Sequence, residues 1–128
     1  MRILPDTHTL IWWLAGHASL SIAARDAIAE EENKILVSTA SAMELSTKFR
    51  LGKLPDAAPL AQNLQQYIDD LGFEELPITV QHAGMAGSLQ IAHKEPFDRL
   101  LIVQSLCEGV PLVSKEKPFD GFGVNRIW

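Results

Sequence analysis

The stretch RILPDTHTLIWWLA, residues 2–15, passes from a short apolar run through Pro5 and Asp6 into a longer apolar segment. The opening run RIL is short and flanked by polar and turn residues, which is typical of a buried strand in a parallel sheet. The segment THTLIWWLA that follows Asp6 is predicted to be a helix. We therefore expect the first strand to pass into the first helix at Asp6.

The rest of the chain repeats this alternation of strand and helix. Two further short apolar runs, ILV at residues 35–37 and PLV at residues 111–113, predict strands of the same kind. Apolar residues recur at helical intervals after Pro59 and after Pro96, and proline is favoured in the first turn of a helix. Gly109 is predicted to end the second of these helices. The terminal stretch FGVNRIW indicates a closing edge strand.

This alternation predicts a single α/β domain over residues 1–128, with a mostly parallel central sheet covered by helices on both faces. A chain of 128 residues with 47% hydrophobic and 21% charged residues has the size and composition of one globular domain. Its longest apolar run, Leu10 to Ala15, is far shorter than the roughly 20 residues of a membrane span. With no basic, apolar leader at the start, we expect a cytoplasmic protein.

The single cysteine, Cys107, lies in an apolar helical pattern. We expect it to be a core residue in a reducing compartment, because it has no partner for an internal disulfide.

Four acids follow predicted strands or open predicted helices: Asp6, Glu44, Asp98 and Glu116. Each has an alternative structural explanation. Asp6 would cap a helix, Glu44 would form a capping box with Ser41, Asp98 would stabilise a first helical turn, and Glu116 would lie in a solvated loop. In a parallel α/β sheet, however, all these junctions lie along the same edge.

Four acids on one edge would repel one another. Two carboxylates about 5 Å apart repel by roughly 3 kcal/mol at an effective dielectric constant near 20, which exceeds the usual gain from a cap. Oxygen ligands with no histidine or cysteine at metal spacing suit Mg²⁺, with Mn²⁺ as a substitute. We interpret His8, His17, His82 and His93 as surface or structural residues.

The net charge of −5 argues against a nucleic-acid partner, but the basic residues cluster near these acids. Such clusters could hold the phosphates of a polymer. The candidate RNA contacts are Lys48, Arg50, Arg99 and Lys115. Two alternatives stay open among them: Lys48 could instead pair with Glu44 in its own helix, and Arg99 could instead steady the acids.

Four ordered blocks together resemble the PIN-domain toxins of the VapC type: LPDTHTLIWWL, VSTASAMELSTKFRLGKL, HKEPFDRLLIVQSL and LVSKEKPFDGFGVNRIW. The resemblance covers nearly the whole chain. It implies a three-layer PIN-like fold and a metal-dependent endoribonuclease that is blocked by an antitoxin and commonly forms homodimers.

The resemblance also implies roles for individual residues. The first three acids of the family match Asp6, Glu44 and Asp98, and the fourth, usually an aspartate, corresponds to Glu116. We expect Asp6 and Asp98 to be direct metal ligands, and Glu44 to be a ligand or to hold a water. Glu116 would be an outer ligand or a ligand of a second metal. Glu95 stands where relatives often carry aspartate.

Two other functions remain as alternatives. One is a Mg²⁺-dependent phosphatase or phosphotransfer domain with an aspartate nucleophile, which would require a lysine such as Lys115 or Lys117 at a later strand end. The other is a non-catalytic binding module with a degraded acidic site, for which the glutamate at position 116 is the only support.

Overall fold

The computed structural model describes all 128 residues and contains one sheet of five parallel strands in the order β3-β2-β1-β4-β5. In chain order the elements are β1 (Arg2–Pro5), α1 (Thr7–Ala15), α2 (Ile22–Ala29), β2 (Lys34–Ser38), α3 (Thr39–Arg50), α4 (Ala58–Leu71), β3 (Glu74–Leu76), α5 (Val80–Ser88), α6 (Pro96–Glu108), β4 (Leu112–Val113) and β5 (Arg126–Ile127). Short 3₁₀ helices cover Pro55–Ala57 and Lys117–Phe122.

The strand order places a topological switch point between β1 and β4. The chain adds β2 and β3 on one side of β1, and then β4 and β5 on the other. Leu4 lies opposite Leu112, and Pro5 lies opposite Val113. In open parallel sheets, ligands bind beyond the carboxyl ends of the strands at such a point. Asp6 and Ser114 directly follow these two strands.

Helices cover both faces of the sheet, as the sequence predicts. Successive strand residues point to opposite faces. On one face Ile3, Ile35 and Val113 pack in a cluster with residues of α2, and on the other Leu4 and Leu112 pack in a cluster with residues of α6. A membrane-spanning helix is absent, because none of the helices combines enough length with enough apolar character.

The predicted ends of two helices are confirmed. α4 has Pro59 in its first turn, and α6 begins at Pro96. Gly109 follows the last residue of α6 and caps it, and its φ of 63° lies in the left-handed region that favours glycine.

Two local predictions are wrong. The predicted capping box of Ser41 and Glu44 does not exist, because α3 begins directly after β2 and is capped by Ser38, which accepts from the Ala40 N–H. Ser41 therefore lies inside the helix. Cys107 is exposed rather than buried, because α6 turns its residues 101–105 toward the core and leaves this thiol outside it.

Candidate metal centre

Asp6 occupies the switch point of the sheet. It caps α1, and its Oδ1 accepts a hydrogen bond from the Thr9 N–H at 2.9 Å. Only 6% of Asp6 is exposed. Burial raises the pKa of this carboxyl, while hydrogen bonding from Ser114 and Thr9 lowers it. Asp6 therefore has the predicted capping role and is also buried, so that its negative charge is costly.

Glu44 lies on α3 and is 3% exposed. Its Oε2 is paired with Lys48 Nζ at 2.5 Å, one helical turn further on. Its Oε1 is buried and has no hydrogen-bond partner, the one such side-chain atom in the structure. A buried carboxylate oxygen without a donor is unfavourable, and an ion or a water beside Oε1 would remove that cost.

Asp98 lies in the first turn of α6. Its pKa is raised to about 6, chiefly by burial and also by the negative charges of Glu95 and Glu44, while the hydrogen bond from His93 acts to lower it. The helices that carry these two acids, α3 and α6, pack against each other. Thr7, which follows Asp6, donates to Ser41 Oγ at 3.0 Å and ties the start of α1 to α3.

Glu95 is the N-cap of α6, and Asp98 lies in the first turn that follows it. Its side chain accepts from the N–H groups of Phe97 at 3.2 Å and of Asp98 at 2.7 Å. Pro96 follows this cap as the first residue of α6, a position in which proline is favoured. The Asp98 carboxylate is therefore not needed as the cap of α6.

His93 is a site residue that the sequence analysis missed. Its Nε2 lies 2.8 Å from Asp98 Oδ2. The sequence predicts surface or structural roles for the four histidines, because they lack helical metal spacing. His93 contacts Asp98, which lies five residues further along the chain, at the start of α6. A contact made by a loop residue has no periodic pattern in the sequence from which it could be predicted.

Glu116 differs from Asp6 and Glu44 in its exposure to solvent. It is an exposed residue at the start of a 3₁₀ helix, and its backbone N–H donates to Ser114 Oγ at 3.0 Å. No set of three or more carboxylate, imidazole or thiol side chains converges at metal-ligand spacing in this conformation. The predicted four-acid cluster is therefore not assembled as a closed ligand set.

The four basic residues predicted to contact RNA differ in how free their side chains are. Lys48 forms the intrahelical pair with Glu44, Arg50 is exposed at the end of α3, and Lys115 Nζ lies 5.9 Å from the centre of the Trp12 ring. The guanidinium of Arg99 donates to backbone carbonyls, among them those of Ala86 at 2.8 Å and His93 at 2.7 Å, and forms no ion pair with an acid. These bonds give Arg99 a structural role, and a contact with RNA stays a prediction.

The side-chain atoms that could bind a metal here suit a hard divalent cation. They are the carboxylates of Asp6, Glu44 and Asp98 and the hydroxyl of Ser114, all oxygen atoms. Mg²⁺ keeps several waters and is often bound through only one or two carboxylates. An incomplete set of side-chain ligands, with an unpartnered oxygen on Glu44, is compatible with that mode of binding.

A cavity of about 480 Å³ lies elsewhere, between α1, the 3₁₀ helix Pro55–Ala57 and α4. Residues that line it include Ile11, Trp12, Lys53, Leu60 and Tyr67, and none of the four predicted acids is among its lining residues. The acidic site is thus distinct from this mainly apolar groove.

Comparison with known proteins gives consistent matches. Residues 3–124 match the family described as "PIN domain". The protein named Ribonuclease VapC22 from Mycobacterium tuberculosis is 30% identical over 116 residues, which cover 90% of this chain and 87% of that protein.

Two solved structures share the fold. VapBC2 from Rickettsia felis, bound to a DNA fragment from its promoter, matches with a TM-score of 0.71 at 14% identity, covering 98% of this chain and 97% of that one. A toxin-antitoxin complex from Klebsiella pneumoniae matches with a TM-score of 0.66 at 17% identity, covering 94% and 92% of the two chains.

Proposed function

The chain belongs to the PIN domain family, and from this premise we propose that it is a Mg²⁺- or Mn²⁺-dependent endoribonuclease, the toxin of a toxin–antitoxin pair. The relative at 30% identity is named a ribonuclease, and the two structural neighbours come from toxin–antitoxin assemblies. The observation that carries the proposal is the buried, unpartnered oxygen of Glu44 on α3, a helix in contact with α6, where Asp98 has a raised pKa.

Each acid has a role in this proposal. Asp6 and Asp98 would hold the ion, and Glu44 would contact the ion or a water beside it. When bound, the cation supplies a nucleophilic water at neutral pH and neutralises charge on the phosphate. Asp98, with a pKa of about 6, is ionised at neutral pH and can act as a ligand there. Glu116 would contribute only from the margin of the site, because it is exposed.

The RNA would approach over the exposed basic residues. Arg50 and Lys115 are exposed and remain candidates for contacts with phosphates. Lys48 balances the charge of Glu44 and would be available to a phosphate only if that pair opened. A chain with a net charge of −5 needs such local positive charge to bind RNA.

We also propose an antitoxin that silences the site, a homodimeric assembly and a cytoplasmic location. Since Asp6 is a buried and Asp98 a partly buried carboxylate, a basic antitoxin side chain, such as an arginine, would be attracted toward them. Replacing both aspartates by asparagine should weaken antitoxin binding, measured by calorimetry. Unchanged antitoxin affinity in the double variant would contradict this contact.

The test of function is incubation of purified protein with structured RNAs in Mg²⁺, in Mn²⁺ and in EDTA. We expect cleavage with either cation and none in EDTA. The variant Asp98→Asn should lose cleavage, whereas Asp26→Asn, which removes an exposed acid of α2, should retain it. Cleavage undiminished in EDTA would refute the proposal. No cleavage under any condition would favour the binding module, and a trapped aspartyl-phosphate would favour the phosphotransfer domain.

A further inference from the structure

His93 forms a direct hydrogen bond to one oxygen of Asp98. Its Nε2 lies 2.8 Å from Asp98 Oδ2. An ionised carboxylate only accepts hydrogen bonds, so Nε2 carries the proton and donates it. The bond occupies Oδ2 and leaves Oδ1 of the same carboxylate available to another partner.

The imidazole ring is held by the core. It packs edge-on against Phe119, with the ring centres 5.6 Å apart, and against Phe122 at 6.1 Å. Phe119 is fully buried. Rotation of the His93 ring away from Asp98 would break these contacts, so packing fixes the direction in which Nε2 donates.

The backbone of His93 is held as well. Arg99, the residue after Asp98, donates from Nη1 to the His93 carbonyl at 2.7 Å and from Nη2 to the Leu89 carbonyl at 2.5 Å. It also donates from Nε to the Ala86 carbonyl on α5. One guanidinium therefore ties the loop of residues 89–95 to the start of α6, where Asp98 lies.

We propose that His93 is a positioning residue for the metal site: by holding Oδ2 of Asp98, it fixes the carboxylate so that Oδ1 can bind the ion. This inference rests on the proposed function, because it assumes that Asp98 is a metal ligand. Partners that hydrogen-bond to metal ligands typically change metal affinity by about 10- to 100-fold. A merely structural His93 would affect folding without a specific effect on metal affinity.

Two substitutions separate these roles. His93→Phe keeps an aromatic ring against Phe119 and removes the donor, whereas His93→Gln carries an amide that can reach Oδ2 and restore the hydrogen bond. Isothermal calorimetry with Mn²⁺ alone gives the affinity of each protein, and thermal melts in EDTA report its metal-free stability. We expect His93→Phe to bind Mn²⁺ at least about tenfold more weakly than the parent, and His93→Gln to stay within about threefold of it.

The possible outcomes are distinct. Parent-like Mn²⁺ affinity in His93→Phe would overturn the inference and leave the proposed function intact, as would equal weakening in both variants. A parent protein that binds no Mn²⁺ would overturn the metal site and the inference together. If His93→Phe does not fold, His93→Asn, whose amide is too short to replace Nε2, takes its place with the same expected loss.

Discussion

Glu95 and Asp98 lie three residues apart at the start of α6, and their carboxylates have different surroundings. Glu95 accepts from the N–H groups of Phe97 and Asp98 and caps the helix. Asp98 is hydrogen-bonded to His93. Its pKa is raised to about 6, chiefly by burial, with contributions from the charges of Glu95 and Glu44. Helix capping and the proposed metal binding therefore belong to two different residues.

The capping role of Glu95 predicts a loss of stability that does not depend on metal. Glu95→Ala should lower the free energy of unfolding by about 1 kcal/mol, as loss of an N-cap typically does. Urea denaturation in EDTA and in Mn²⁺ measures this loss, which should be similar in both. An Ala variant as stable as the parent would show that the cap contributes nothing.

Asp98→Asn should have the opposite effect: it should change the response of stability to metal and should not lower the metal-free stability. Removing one of several neighbouring negative charges should leave metal-free stability unchanged or raise it by about 1 kcal/mol. It should also abolish the stabilisation that Mn²⁺ gives the parent. Thermal melts of this variant and of the control Asp26→Asn, each in EDTA and in Mn²⁺, make the comparison. A variant that melts lower in EDTA yet keeps its Mn²⁺ shift would mean that Asp98 only stabilises the helix start.

At the scale of elements, the loop before α6 depends on Arg99. Its planar guanidinium donates to several carbonyls at once, which the single ammonium of lysine does not reproduce. Arg99→Lys should lower the free energy of unfolding by about 2 kcal/mol. It should also speed amide hydrogen exchange in residues 89–95. The exposed control Arg50→Lys should match the parent, and equal exchange in both variants would contradict the assigned role.

Helices and strands were largely predictable because their signals are local. Apolar spacing after Pro59 and Pro96 located α4 and α6, and Gly109 located the end of α6. The roles of His93 and Arg99 were not predictable, because they depend on the path of a loop that no periodicity describes. The exposure of Cys107 was missed because a periodic pattern in a short helix does not settle which of its last residues face the core.

At the scale of the whole molecule, parallel topology explains why part of the site could be inferred from sequence. Asp6 was placed correctly because the carboxyl ends of parallel strands share one edge, and the strand order puts it at the switch point. Glu116 follows the neighbouring strand, yet it is exposed. Topology locates a backbone position at the edge of the sheet but does not determine where its side chain lies.

The raised pKa of Asp98 predicts a pH dependence of metal-free stability. Its pKa is about 6 in the folded protein and 3.8 as the ordinary value, so the native state binds more protons than the unfolded state between these values. Stability contributed by this group should therefore fall as the pH rises from about 4 to about 6. Melts in EDTA across this range should show a smaller fall for Asp98→Asn than for the parent, and identical profiles would contradict the assignment.

The most direct test of the central claim, that Glu44 and Asp98 belong to a divalent-metal site, is to locate Mn²⁺ in crystals by anomalous scattering. We expect one strong peak beyond the carboxyl ends of β1 and β4, about 2.1 Å from a carboxylate oxygen of Asp98 or Asp6. Glu44 Oε1 should lie within reach of the ion or of a water bound to it. Crystals of Asp98→Asn grown and treated with Mn²⁺ in the same way should lack the peak. Mn²⁺ bound only elsewhere, or an equally strong peak in Asp98→Asn, would contradict the account.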